Sequence, residues 1–255
     1  MESVLSLMMP SKKSEGYLLV ASTKEIYYSW ACNLIEGIRD FHPEANICLV
    51  TEERFLDHRA DEADKVIFCD DHVRAKLWGM ANTPWDTTFY LDVDMEVMHE
   101  DISKVFDELG EADMVFAKLQ REHWHIFAEV EFPGGTFELC GGVCLYRKSE
   151  LVMQFMQEWY DKYVQQHNGD WWPINENGQF DYELYPKSLA RWDQFTLWWL
   201  VNKEPKYKPL IVEGFKDNLR WNHWASLNVT DWPRDNAVLV HLSSRIERDL
   251  SKIKL

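Results

Sequence analysis

The sequence has little basic charge for its size. Lysine and arginine number 27 against 43 acids, and the net charge of the 255 residues is -16. Extended binding along a phosphate backbone, which needs a basic surface, is therefore disfavoured, although a local basic groove is not excluded. No apolar run approaches the roughly 20 residues that span a bilayer, so no membrane span is expected. No basic region precedes the short apolar stretch at the start, which argues against a signal peptide and for a cytoplasmic location. Cysteine is sparse and odd in number: Cys32, Cys48, Cys69, Cys140 and Cys144, mostly in apolar settings and with no CxxC pair. That argues against a disulfide frame or a zinc site and predicts reduced core thiols. Neither G-x-G-x-x-G nor G-x-x-x-x-G-K-[ST] occurs, so neither a Rossmann dehydrogenase nor a P-loop enzyme is expected. Internal repeats, low-complexity tracts and linkers are also missing, and residues 1–255 read as one domain.

What is present is a regular alternation. Hydrophobic residues make up 46% of the chain, a globular rather than a disordered composition. Residues 16–21 (GYLLVA) read as a buried strand. Ser22-Thr23-Lys24-Glu25 follows, with hydroxyls suited to capping a helix. Ile26, Trp30, Leu34 and Ile38 predict that helix over 26–39, stopped by His42-Pro43. Further strands are predicted at 46–51, 65–69, 87–91, 113–117, 140–146, 208–212 and 237–241, and further helices at 73–81, 149–164 and 191–201, with Ser149 a candidate cap. The pattern predicts an α/β fold: a Rossmann-type domain with a mostly parallel central sheet, flanked by helices and elaborated on its C-terminal side. In such sheets ligands bind outside the carboxyl ends of the strands. Residues 21–23 follow the first strand and Asp92 and Asp94 end the fourth, so they would share one rim.

The stretch 87–97, TTFYLDVDMEV, carries the first chemistry. On an extended chain the i, i+2 spacing puts Asp92 and Asp94 on one face. Neighbouring carboxylates repel and lose hydration, and a divalent cation relieves both, so a hard-metal site is one reading. Two solvated acids in a turn is the other. Gly141 and Gly142 enter an apolar strand, which allows either close approach by a ligand or a bulge. Asp193 and Gln194 open a helix, where an acid also suits the helix dipole. His241 ends a buried strand, as a metal ligand or as a packed core residue. The loop 121–125 carries His123 and His125, and 133–136 is a turn signal. The long loop 166–185 has a length that favours function. Thirteen tryptophans are available. Trp171, Trp172, Trp221 and Trp224 either fill a core or form a platform for sugar rings or bases.

Taken in order, Ala21-Ser22-Thr23, Lys76, Phe89-Tyr90-Leu91-Asp92-Val93-Asp94, Gly141-Gly142-Val143, Trp192-Asp193-Gln194 and Val240-His241 resemble the nucleotide-sugar-dependent glycosyltransferases of the GT-A fold. The pattern is nearest to the glycogenin-like and galactosyltransferase-like retaining enzymes and covers roughly residues 16–245. The resemblance implies a nucleotide-binding half at about 16–130 and an acceptor- and sugar-binding half at about 131–255. It implies that Asp92 and Asp94 bind Mn²⁺ or Mg²⁺, with Asp92 also near the ribose, and that His241 is the third protein ligand. Ala21, Ser22, Thr23 and Tyr27 would line the base and ribose pocket, and Lys76 would approach the nucleotide or donor sugar. Gly141 and Gly142 would lie along the sugar–acceptor side, and Asp193 and Gln194 near the anomeric carbon. That family places its C-terminal histidine in a His-x-x-Gly-x-x-Lys context whose lysine binds the diphosphate. Here the sequence is His241-Leu242-Ser243-Ser244-Arg245, and Arg245 would supply the charge from a shifted position.

The implied reaction moves a sugar from a nucleotide-diphosphate sugar, foremost a UDP-sugar, to an acceptor hydroxyl. Retention is expected because no further acid stands out as a general base. A glycan, a lipid-linked sugar, a protein and a modified base of phage DNA all stay open as acceptors. Two other readings are a nucleotidyltransferase, which usually carries a glycine-rich basic loop that is missing after the first strand, and a non-catalytic sugar-binding module with a structural metal.

Overall fold

The computed structural model describes residues 14–72, 74–118, 139–224 and 236–242. In chain order its strands are β1 (Glu15–Ala21), β2 (Ile47–Thr51), β3 (Lys65–Phe68), β4 (Thr87–Leu91), β5 (Met95–Val97), β6 (Met114–Lys118), β7 (Leu139–Arg147), β8 (Val212–Gly214), β9 (His223–Trp224) and β10 (Leu239–His241). The α-helices are α1 (Glu25–Phe41), α2 (Ala75–Ala81), α3 (Glu150–Asn168), α4 (Asp193–Lys203) and α5 (Asn218–Trp221). Seven strands form the main sheet in the order β3-β2-β1-β4-β7-β6-β8. β3, β2, β1 and β4 are mutually parallel. β7 is antiparallel to both β4 and β6, and β6 is parallel to β8, so β7 alone runs against the rest. The result is one α/β domain with a mixed sheet in which parallel pairs predominate.

The apolar runs become strands because both sheet faces are covered. β2 and β4 are buried at every position, as expected of strands packed on two sides. On one face Tyr17, Leu19, Phe89 and Leu145 pack with Tyr28, Ile35 and Ile38 of α1. On the other face Leu18, Tyr90, Phe116 and Cys144 pack with Leu77 of α2 and Phe155 and Trp159 of α3. α3 starts where Ser149 accepts the Val152 N–H at 3.2 Å, the cap read from the sequence, and ends at Gly169 in the left-handed conformation. Asp193 opens α4.

Three expectations are corrected. The hydroxyls of Ser22 and Thr23 do not cap α1; its cap is Lys24, with no side-chain bond. The strand expected at 208–212 begins at Val212, after a 3₁₀ turn at Pro205–Tyr207. Pro209 has no N–H to give to a ladder, which delays pairing. The final strand leaves the main sheet. β10 pairs antiparallel with β5 and parallel with β9, forming a three-stranded sheet at the end of β4. Among the described residues no helix is long and apolar enough to cross a membrane.

Candidate active site

The reversed strand β7 determines what meets at the rim. The carboxyl ends of β1, β2 and β4 share that rim with the amino end of β7, so Gly141 and Gly142 arrive beside Asp92. The Asp92 N–H donates to the Gly142 carbonyl at 2.7 Å. A Cβ on Gly142 would lie 2.7 Å from Asp92 Oδ2 and 3.3 Å from His241 Cε1. Glycine is therefore required because a carboxylate and an imidazole crowd the backbone. The pairing of β6 with β7 also slips here, between Phe116 and Ala117. The bulge reading of the glycine pair is thus realised.

The small sheet delivers His241 to the carboxylates. In the β5–β10 register His241 faces Met95, and the Leu242 N–H donates to the Asp94 carbonyl at 2.8 Å. His241 Nε2 stands 3.1 Å from Asp94 Oδ1. Nδ1 lies 3.2 Å from Asn222 Oδ1, and the ring stacks on Trp224 at 3.9 Å between centroids. The Asn222 oxygen accepts a hydrogen bond from Nδ1–H, which leaves the Nε2 lone pair facing Asp94. Ligand atoms of Asp92, Asp94 and His241 all lie within 4.8 Å of one another. Two carboxylate oxygens and one imidazole nitrogen form a cluster that can hold a divalent ion, and this donor set fits Mn²⁺ or Mg²⁺.

A second cluster adjoins the first. Asp193 is 1% exposed, with Arg74 Nε 3.2 Å from one carboxylate oxygen and Lys76 Nζ 3.4 Å from the other. Lys76 also lies 3.2 Å from Asp92 Oδ1, so one ammonium bridges both acids. Burial works to raise the Asp193 pKa, but Lys76 and Arg74 outweigh it and hold the carboxyl below its ordinary value. The Tyr90 hydroxyl donates to Asp92 Oδ1 at 2.5 Å, and burial together with the Asp92 charge raises its pKa well above that of a free phenol. The Trp159 indole donates to the Asp193 carbonyl at 3.0 Å. Gln166 donates to the carbonyls of Ala190 and Trp192 and accepts from the Thr196 hydroxyl, which fixes the start of α4. Gln194 Oε1 is buried and has no hydrogen-bond partner among the described residues. A buried acceptor of this kind is completed by water, an ion or a ligand group. Cys140 lies nearby, but burial pushes its thiol up to about 12, so it offers no nucleophile at neutral pH.

The nucleotide-side residues of the resemblance sit at the ends of β1 and β2. Ala21 is fully buried at the end of β1. Thr23 has φ +73°, a left-handed conformation that strains a β-branched residue. Glu52, buried at the end of β2, sustains it: Oε1 accepts the Thr23 N–H at 2.5 Å and the Ser22 hydroxyl at 2.9 Å, while Oε2 pairs with Arg54 at 2.6 Å. The cap position of α1 falls on Lys24, and the Ser22 oxygen accepts the His72 N–H at 3.3 Å instead. Tyr27 is half-buried one turn into α1, against Trp30.

Arg74, Glu52, Asn222, Trp159 and Gln166 did not stand out in the sequence. Arg74 was findable as the cation two residues before Lys76, and Glu52 as the acid ending the second strand. Trp172 and Trp221 are 3% and 2% exposed and belong to the core, which removes them from any stacking platform. Trp171 and Trp224 are half-buried. Arg245, His123, His125 and the 133–136 turn lie outside the described residues.

The sheet order and the helices flanking it have the arrangement of a GT-A-like fold, and solved structures agree. The galactosyltransferase LgtC, in complex with donor and acceptor sugar analogs, matches at TM-score 0.54 and 16% identity over 90% of this chain and 87% of that one. The glycosyltransferase GlyE of Streptococcus pneumoniae matches at TM-score 0.57 and 14% identity over 91% of this chain and 55% of that one. The bifunctional glycosyltransferase WbbM matches at TM-score 0.52 and 13% identity over 92% of this chain and 47% of that one. The chain thus spans about half the length of GlyE and WbbM. No family model and no curated protein sequence matches it.

Two outcomes are expected from this geometry. Gly142→Ala should displace Asp92 or His241 and weaken Mn²⁺ binding by about 10–100-fold, read by calorimetry, while circular dichroism stays native. Glu52→Ala should leave the Thr23 strain unsupported and lower stability by about 2 kcal/mol, whereas Glu52→Gln, which keeps the acceptor oxygen, should cost less than about 1 kcal/mol in urea unfolding.

Proposed function

We propose that the chain is a metal-dependent glycosyltransferase that moves a sugar from a nucleotide-diphosphate sugar, foremost a UDP-sugar, to an acceptor hydroxyl. The observation that carries this reading is the convergence, across Gly141 and Gly142, of Asp92, Asp94 and His241 with Asp193 on a GT-A-type fold. The likeness to LgtC, whose structure holds donor and acceptor sugar analogs, supports it.

Asp92, Asp94 and His241 are the residues that would hold Mn²⁺ or Mg²⁺. Such an ion, when bound, supplies a Lewis acid for the charge that develops on a leaving diphosphate. The remaining work falls to the chain. Ala21, Ser22, Thr23 and Tyr27 bound the place for base and ribose, with Glu52 setting the backbone there. Lys76, tethered between Asp92 and Asp193, adds positive charge on the diphosphate side, where stabilisation grows in the transition state; the role the resemblance implies for Arg245 falls outside the described residues. Gly141 and Gly142 present bare backbone to the donor sugar. Asp193 lies where a negative charge stabilises an oxocarbenium-like centre, and the unpaired oxygen of Gln194 accepts from a sugar hydroxyl or faces the anomeric carbon. A general base working near neutral pH needs a pKa near that value. Asp193 is shifted the other way by its two cations, which supports retention, with a leaving phosphate oxygen taking the acceptor proton. A glycan, a lipid-linked sugar, a protein or a modified DNA base could present that hydroxyl; the net charge of -16 weighs against DNA.

The test is release of nucleoside diphosphate from a panel of nucleotide sugars with Mn²⁺. EDTA should abolish it, and Asp94→Ala should reduce it at least about 100-fold. Release of pyrophosphate would point to a nucleotidyltransferase. Absence of any calorimetric signal with UDP and Mn²⁺ would point to a sugar-binding module. Asp193→Asn should lose turnover and about 3 kcal/mol of stability, because Lys76 and Arg74 lose their buried counter-charge. The depressed pKa of Asp193 contributes stability above its unfolded value near about 4, and this is lost as pH falls further. The variant should accordingly show a flatter acid limb in a stability-versus-pH series.

A further inference from the structure

A separate cleft opens at the carboxyl end of β3, between α2 and α3. Its volume is about 150 Å³. Sites for drug-sized ligands begin at about 300 Å³, so this one takes a single ring rather than a nucleotide or a chain of sugars. Phe68, Trp78 and Tyr160 supply its aromatic lining, and Asp70 and His72 its polar edge. Phe68 is 50% exposed and Asp70 is exposed, so both present their side chains to an incoming molecule.

The polar edge has a defined donor and acceptor. His72 Nδ1 accepts the Arg74 N–H at 3.1 Å, which leaves the ring proton on Nε2 as a donor. The His72 ring meets Tyr160 edge-on at 5.8 Å, which fixes its orientation. The Asp70 carboxylate is an acceptor, and the Asp70 carbonyl lies 3.5 Å from the Ser22 hydroxyl, tying the loop to the rim. A pyranose ring carries apolar C–H faces that stack on aromatic rings and neighbouring hydroxyls that both donate and accept. One imidazole N–H and one carboxylate beside three aromatic side chains match that pattern. A base would stack equally well, but its phosphates would meet exposed Asp70 and Asp71 on a chain of net charge -16. A neutral ring meets no such penalty.

The cleft also joins the candidate active site through a short run of chain. Arg74, bonded through its N–H to His72, places its guanidinium 3.2 Å from Asp193. We propose that this cleft is a glycan subsite that binds one neutral pyranose ring of the acceptor, beyond the ring that reacts. Its place in the acceptor rests on the glycosyltransferase reading; the binding of a neutral sugar does not.

Saturation-transfer NMR on the full chain, without nucleotide or metal, tests the binding. The probes are the methyl glycosides of glucose, galactose, mannose and N-acetylglucosamine at millimolar concentration. At least one should receive saturation on its ring protons. Phe68→Ala and Asp70→Ala, which remove exposed side chains and spare the fold, should each reduce it by about tenfold, as expected when one stacking or hydrogen-bonding partner of a small ligand is lost. UDP and Mn²⁺ calorimetry on the same samples should be unchanged. No saturation with any of the four glycosides, or saturation that both variants leave intact, overturns the subsite. So does saturation of uridine or adenosine monophosphate in place of the glycosides. Failure of UDP and Mn²⁺ to bind would instead overturn the glycosyltransferase reading while leaving the sugar cleft standing.

Discussion

Mutual repulsion of three carboxylates is the constraint on which this site depends. Asp92, Asp94 and Asp193 come together in a chain that already carries an excess of acid. Each needs a compensating partner. Lys76 lies between Asp92 and Asp193, Arg74 closes the far side of Asp193, and His241 meets Asp94. The acids and their partners come from the end of β4, the start of α4, the start of α2 and the small sheet that holds β10. The helix and strand boundaries on the rim therefore serve the charge arrangement as well as the core. Gly142 belongs to the same scheme, since any side chain there would push Asp92 and His241 apart.

Much of the fold was legible because its strands are short apolar runs buried on both faces, separated by helices with a clear apolar stripe. The end of β4 stood out as a ligand rim for the same reason. The reversed direction of β7 was not legible, because an apolar run such as Val143-Cys144-Leu145 has no polarity that marks its sense. The small sheet was hidden by size: strands of two or three residues fall below what periodicity can signal.

Of the site, the residues with unusual chemistry for their position were readable: two acids at a strand end, a histidine at another, two glycines entering a third. Arg74, Glu52 and Asn222 were not, because each acts through a neighbour distant in sequence. Glu52 matters only because β2 lies beside β1, and Asn222 only because it meets His241. The capping reading of Ser22 and Thr23 failed on the same ground. The cap position falls on Lys24, and the Ser22 hydroxyl is held by residues distant in sequence, donating to Glu52 and accepting from the His72 N–H. The tryptophans show the limit of composition: Trp221 and Trp172 went to the core, while Trp224 packs flat on His241.

The small sheet has a thermodynamic consequence. Its strands are too short to contribute much stability alone, yet one of them carries the His241 nitrogen that clusters with the Asp92 and Asp94 carboxylates beyond the end of β4. An ion gripping all three would bind only the docked form of the last strand. Occupancy and docking would then be linked functions: the ion would tighten β10, and β10, by docking, would raise the affinity for the ion.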